Sequence, residues 1–182
     1  MKNYTLLLLF TAVSINAQQT SAVVEKGALG INKDAPKGVY QYAFRIGEWE
    51  TSYKTRTGRD TWEVGSGTER FYVAKNGVSF IEEIIDKKGE LESTIFFKYN
   101  NETDSWINTY KNVKTGTKTI YTAKLIDGKL TEILQRSDHV NNNVYEIIND
   151  STFTYTCNRA YTNGLSYINY IGTSNKQSKP KK

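Results

Sequence analysis

Histidine, methionine and cysteine each occur once in these 182 residues, and proline twice. With Cys157 alone, no intramolecular disulfide can form, so whatever holds the fold is non-covalent. No cationic or histidine neighbour accompanies Cys157 in sequence, which makes it a small buried hydrophobe rather than a reactive thiol. A single histidine excludes the paired His/Cys spacings of a metal centre. Neither a Gly-x-Ser-x-Gly elbow nor a phosphate loop occurs. Between Pro36 and Pro180 there is no proline, so nothing there removes a backbone donor from a sheet ladder.

Long apolar runs are also scarce, and the single candidate stands at the start. Lys2, the apolar segment Leu6 to Phe10, and Ser14-Ile15-Asn16-Ala17 have the order of a signal peptide cleaved before Gln18. The stretch is shorter than the roughly 20 residues that span a bilayer. No cysteine lies near it to carry a lipid. The expectation is an exported protein, periplasmic or secreted. The chain divides into a signal peptide (1–17), a polar lead-in (18–38), one folded domain (39–173) and a basic disordered tail (174–182).

Excess charge of one sign belongs to the ends. Without Lys2 and the tail lysines Lys176, Lys179, Lys181 and Lys182, basic and acidic residues balance at 19 each. A nucleic-acid binder concentrates positive charge on a folded face, so none is expected here as partner.

What the chain does have is β-patterning. Short runs rich in Thr, Tyr, Val, Ile and Phe are separated by turn signals: Asn76-Gly77, Lys88-Gly89, Asn100-Asn101, Thr115-Gly116, Asp127-Gly128, Asn141-Asn142 and Asn149-Asp150. Trp49, Thr51, Tyr53 and Thr55 share one face against Glu50, Ser52, Lys54 and Arg56. Leu91, Ser93, Ile95, Phe97 and Tyr99 alternate likewise, as do Phe153, Tyr155 and Cys157. With further runs near 61–74, 78–86, 105–113, 117–126, 129–137, 143–149 and 164–172, the count is about ten strands. One helical turn fits Val39 to Ile46. Ten strands in sequence without a long crossover predict an all-β, antiparallel up-and-down barrel, whose closure leaves no sheet edge exposed.

Three segments resemble a known family. Phe44-Arg45-Ile46-Gly47-Glu48-Trp49 carries a Gly-x-Trp start, Tyr99-Asn100-Asn101-Glu102-Thr103-Asp104-Ser105-Trp106 a "Y-D-x-x-T-x-x-W"-like hairpin, and Phe153-Thr154-Tyr155 followed by Asn163-Gly164 a closing hairpin. This order, over roughly residues 40 to 172, resembles the calycin-like barrels, lipocalins and especially the bacterial DUF1579 family. The resemblance implies that Gly47 turns the chain into the barrel while Trp49 plugs its closed end. It also suggests an arginine stacked over that indole, for which Arg159 is the candidate.

Candidate residues for an interior ligand site are Trp49, Tyr53, Phe97, Trp106, Tyr121, Arg136, Phe153 and Tyr155. Glu132 and Arg136 fall in phase with Leu130 and Leu134, and a dry core does not tolerate unpaired charges, so this strand points to a hollow, polar interior. Glu82 and Glu83 are adjacent and face opposite ways, which excludes a glycosidase pair and leaves one outward and one near the barrel mouth. His139 beside Asp138 reads as an exposed loop residue, and haem ligation through it is not expected, nor is any other cofactor. The expected function is binding of a small apolar or amphipathic molecule, without catalysis. The rivals are an envelope hydrolase or isomerase acting on lipid or glycan at the mouth, and a filled structural or adhesive barrel.

Overall fold

A computed structural model describes residues 27–177. The segment 1–17, with its export reading, lies outside the described residues. Ten antiparallel strands close on themselves: β1 (Gly47–Arg56), β2 (Trp62–Val73), β3 (Ser79–Asp86), β4 (Leu91–Asn100), β5 (Ser105–Asn112), β6 (Lys118–Ile126), β7 (Lys129–Gln135), β8 (His139–Asn149), β9 (Thr152–Tyr161) and β10 (Ser166–Lys176). Each pairs with its sequence neighbours, and β1 also pairs with β10 from Trp49↔Lys176 to Thr55↔Tyr170. The all-β up-and-down barrel expected from the turn spacing is therefore the observed architecture. Between β6 and β7 the two-residue loop Asp127-Gly128 has φ of 51° and 76°, the left-handed geometry that a tight hairpin requires.

A 3-10 helix, Lys37–Arg45, closes one end. It buries Val39, Tyr42 and Arg45 and is preceded by Pro36 at its N-cap, in an extended conformation. Tyr42, Trp49, Phe71, Phe80, Phe97, Trp106 and Phe153 form the packed layer at this end. Edge-on contacts dominate it: Tyr42 meets Trp106 at 5.0 Å and 89°, and Trp49 meets Phe153 at 4.8 Å and 69°. No helix among the described residues is long and apolar enough to cross a membrane.

Four expectations change. The lead-in is docked from Gly27: Ile31 is fully buried and Asn32 N–H bonds the Gly77 carbonyl. The last strand runs past residue 173, so Ser174, Asn175 and Lys176 belong to β10 rather than to a tail. Asn141-Asn142 is strand, not turn. The β7–β8 connection is Arg136-Ser137-Asp138, closed by Arg136 N–H to the His139 carbonyl at 2.9 Å. Asn looks like a turn residue, but Asn141 and Asn143 line the barrel interior and find polar partners there, so tertiary context overrides local propensity. His139 consequently opens β8, half-buried against Tyr161.

Candidate functional site

Along an inward-facing strand edge every second residue looks into the barrel. One such step from the packed aromatic layer changes its chemistry. Phe71 gives way to Glu69, Phe80 to Glu82, Trp106 to Asn108, Leu130 to Glu132, and Phe153 to Tyr155. Above the closed end, these residues surround an interior cavity of about 290 Å³. Its wall continues with Ile84, Ile95, Tyr110, Tyr121, Asn141, Asn143, Tyr145, Cys157, Asn169 and Tyr170.

The floor is a charge network. Arg45, 3% exposed, extends from the plug helix and pairs through Nη2 with Glu69 at 3.1 Å and with Glu82. Its guanidinium carbon lies 4.7 Å from the Phe71 ring centre, 5.3 Å from Tyr145 and 5.6 Å from Phe153. Burial, reinforced by Glu69, holds the Glu82 carboxyl up at about 8 against the pull of Arg45. Glu132 has neutral partners: Tyr42 Oη donates to it at 2.8 Å, Asn108 Nδ2 at 3.0 Å and Asn143 Nδ2 at 3.5 Å. Asn108 Nδ2 also reaches Tyr42 Oη at 2.9 Å. Burial raises the Tyr145 and Tyr155 phenols well above the usual value, and raises Tyr121 and Tyr170 too, so all four remain neutral donors at physiological pH.

Toward the mouth the rings stack. Tyr53 lies on Tyr170 at 5.4 Å, Tyr170 on Tyr155 at 5.2 Å, and the last two share a hydroxyl hydrogen bond of 2.9 Å. Gly172 makes room for this: a Cβ there would stand 2.4 Å from the Tyr155 ring, so only a bare backbone lets that ring lie flat across the strand pair.

The candidates read from sequence separate into groups. Tyr121 and Tyr155 line the cavity, and Tyr53 stacks at its upper wall. Trp49, Phe97, Trp106 and Phe153 lie below it in the packed layer, where they shape the floor without facing the space. Arg136 differs from expectation: it lies past the end of β7, exposed, reaching Thr119 Oγ1 at 3.4 Å and absent from the cavity wall. Glu132, its partner in phase, is the residue of that pair that enters the interior. Glu82 lies beside Arg45 near the closed end rather than at the mouth, while Glu83 faces out to Tyr72 at 3.1 Å.

Arg159 is not the cation over Trp49. It sits at the opposite end, bonded through Nε to Asn141 at 2.9 Å, in a rim cavity shared with Arg56 and Tyr167. Lys176 takes the place beside Trp49, 5.3 Å from its ring, and the Trp49 indole N–H donates to the Arg45 carbonyl at 2.6 Å. Gly47, with φ of 141°, opens β1 directly against the Lys176 side chain.

Arg45, Glu69 and Asn108 line the cavity without having been singled out in the sequence, and Glu82 joins them at the floor. The usable signal was phase: each lies two positions from a large aromatic on a shared face, or in the plug next to one. A larger groove, about 650 Å³, runs outside the barrel along Glu48, Glu50, Thr68 and Arg70. It holds only the solvent-screened Glu48–Arg70 pair at 3.4 Å, with both side chains about half exposed, so the interior is the stronger site.

This barrel has solved counterparts. The S-type phycobiliprotein lyase CPES from Guillardia theta superposes with a TM-score of 0.54 at 7% identity, over 76% of this chain and 92% of that one. Rv2717c from M. tuberculosis gives 0.50 at 10% identity, over 80% and 100%. The fold is that of the lipocalin-like barrels. At these identities the likeness concerns the fold alone. No protein-family model and no curated protein matches the chain.

Proposed function

We propose that this protein is an exported, non-catalytic binding barrel that takes one small amphipathic molecule into its interior. The observation that carries the reading is the cavity itself: a space of about 290 Å³, close to the lower end of the ~300–1,000 Å³ usual for small-molecule sites, with buried polar groups below and aromatic faces above. An apolar guest would leave those polar groups facing hydrocarbon, which costs on the order of 1–3 kcal/mol for each unmet hydrogen bond. The guest is therefore amphipathic rather than purely apolar, its polar end toward Glu132 and Asn108 and its body against Tyr121, Tyr155 and Ile95. One counterpart in fold is by name a phycobiliprotein lyase; the reading rests on the cavity and not on that name. The sequence resemblance to the DUF1579 family agrees with a barrel of this kind.

Native mass spectrometry of the protein purified from its own host tests both parts. A chain beginning at Gln18, carrying a retained small molecule released on unfolding, is the expected result. A chain retaining residues 1–17 overturns export. A bare protein mass that stays bare after incubation with host lipid and metabolite extracts overturns binding and favours a filled structural barrel.

A further inference from the structure

Three carboxyl groups and one guanidinium face this interior, and among the described residues no second cation joins them. Glu69 and Glu82 share Arg45, whereas Glu132 is met only by the neutral donors of Tyr42, Asn108 and Asn143. Arg45 acts on Glu132 only at a distance and makes no hydrogen bond to it, so a cation arriving beside that carboxyl would be its first direct ionic partner. An independent observation points the same way. Asn108 is 1% exposed, its amide nitrogen is committed to Glu132 and Tyr42, and its Oδ1 has no donor. The opposite amide orientation would set that oxygen against the Glu132 carboxylate, so the network fixes Oδ1 as the unmet, buried acceptor of a residue that lines the cavity. The interior thus sets an unmet amide acceptor beside a carboxyl group whose hydrogen-bond partners are all neutral.

From this arrangement, and resting on the interior-binding reading above, we propose that the guest is an organic amine, bound as its ammonium ion with N–H groups toward Asn108 Oδ1 and Glu132. The unpartnered Nε and Nη1 of Arg45 do not redirect the choice to an anion. The guanidinium is enclosed among the rings of Phe71, Phe97, Tyr145 and Phe153, within 5.9 Å of each centre, a setting that favours its cationic form and leaves no room for an anion between. An acid entering the cavity would bring a further carboxylate beside Glu69 and Glu132. A bare metal ion is disfavoured too, because among the described residues no three acidic, histidine or cysteine side chains gather closely enough to hold one. The phenol faces of Tyr121, Tyr155 and Tyr170 supply a wall that attracts cations and accepts an apolar body at once.

Titration calorimetry with 2-phenylethylamine, 2-phenylethanol and phenylacetate separates the choices, since the three share a phenyl group and a short arm but differ in charge. The amine is expected to bind at least about tenfold more tightly than the alcohol, with the acid weakest. In Glu132→Gln the amine loses its advantage, falling to within about threefold of the alcohol. The ranking on the unaltered protein needs no variant, so it decides the matter even if Glu132→Gln is poorly folded by circular dichroism. An alcohol as tight as the amine, or an acid tighter than both, overturns the amine proposal and leaves interior binding standing. No heat from any of the three at millimolar concentration, together with unmoved interior tyrosine resonances in NMR spectra, overturns both.

Discussion

Tyr42 and Glu132 stand ninety positions apart in sequence and meet through a 2.8 Å hydrogen bond at the floor of the cavity. This contact ties the plug helix to β7, so the element that seals the barrel also shapes the site above it. Tyr42→Phe keeps the ring packing but takes one donor from Glu132 and removes the acceptor for Asn108 Nδ2. The expected loss is about 1–3 kcal/mol, read as a lower urea midpoint at unchanged slope.

Arg45 should matter more. Arg45→Met preserves most of the stem's packing and leaves Glu69 and Glu82 together without a cation. Breaking a buried pair from one side costs roughly 3–5 kcal/mol. Glu82→Gln leaves Arg45 a carboxylate in Glu69 and should be far milder. Chemical denaturation of the two variants side by side checks the ordering.

That pair also gives stability a pH dependence of definite sign. Glu82 is held up at about 8 in the folded protein, chiefly by burial, against an ordinary value near 4.5. The folded state therefore retains a proton that the unfolded chain has released, so the contribution is complete below about pH 4.5 and is lost as pH rises toward 8. The slope in this window is at most about 1.4 kcal/mol per pH unit, one proton's worth. Denaturation midpoints across pH 5–8 should fall for the wild type, and this component should be missing from Glu82→Gln.

The barrel was legible in the sequence because its signals are local. Period-two alternation, hairpin dipeptides and the absence of proline between Pro36 and Pro180 each act over a few residues. Gly47-x-Trp49 opens β1 beside the packed aromatic layer. Its cationic neighbour was misjudged because Lys176 and Arg159 are both basic residues near the end of the chain, and only the β1–β10 register, Trp49↔Lys176, distinguishes them. The site's chemistry was half visible. Glu132 stood out on a strand of leucines, but Glu82 and Glu69 look like ordinary surface charges until closure and the plug place Arg45 between them. A buried ion pair between residues 24 and 37 positions apart leaves no local trace.

The two ends of the barrel should respond differently to truncation. Trp49 is 2% exposed, and Trp49→Ala opens a large void in the packed layer, at a cost of about 3–5 kcal/mol. Arg159→Ala removes a rim hydrogen bond to Asn141 and should cost about 1 kcal/mol or less. A reversal, with Arg159→Ala the more damaging in thermal melts, would contradict the placement of Lys176 rather than Arg159 beside the indole.

Gly172→Ala probes the cavity wall without altering its polar groups. The added methyl group, 2.4 Å from the Tyr155 ring, forces the ring off the strand and toward the interior. Tyr155 cannot retreat the other way, because Tyr145 and Tyr170 flank it at 5.7 and 5.2 Å. The expected outcome is at least a tenfold loss of affinity for 2-phenylethylamine, with a far-UV spectrum like that of the wild type.

Cys157 reports on the same space from its wall. Its thiol is pushed up to about 11 by burial, from an ordinary value of 9.0, although Arg159 pulls in the opposite direction. A rise of two pH units reduces the thiolate at neutral pH roughly a hundredfold, and the thiolate is the species that reacts. In the folded protein, labelling by iodoacetamide at pH 8 should therefore be about tenfold or more slower than for a free cysteine, because the greater nucleophilicity of a high-pKa thiolate offsets only part of its scarcity, and full reactivity should return in denaturant. Because Cys157 shares the cavity wall with Glu132 and Tyr121, an interior guest should slow the reaction further. Labelling at the free-thiol rate would mean that the interior opens to solvent far more readily than this packing allows.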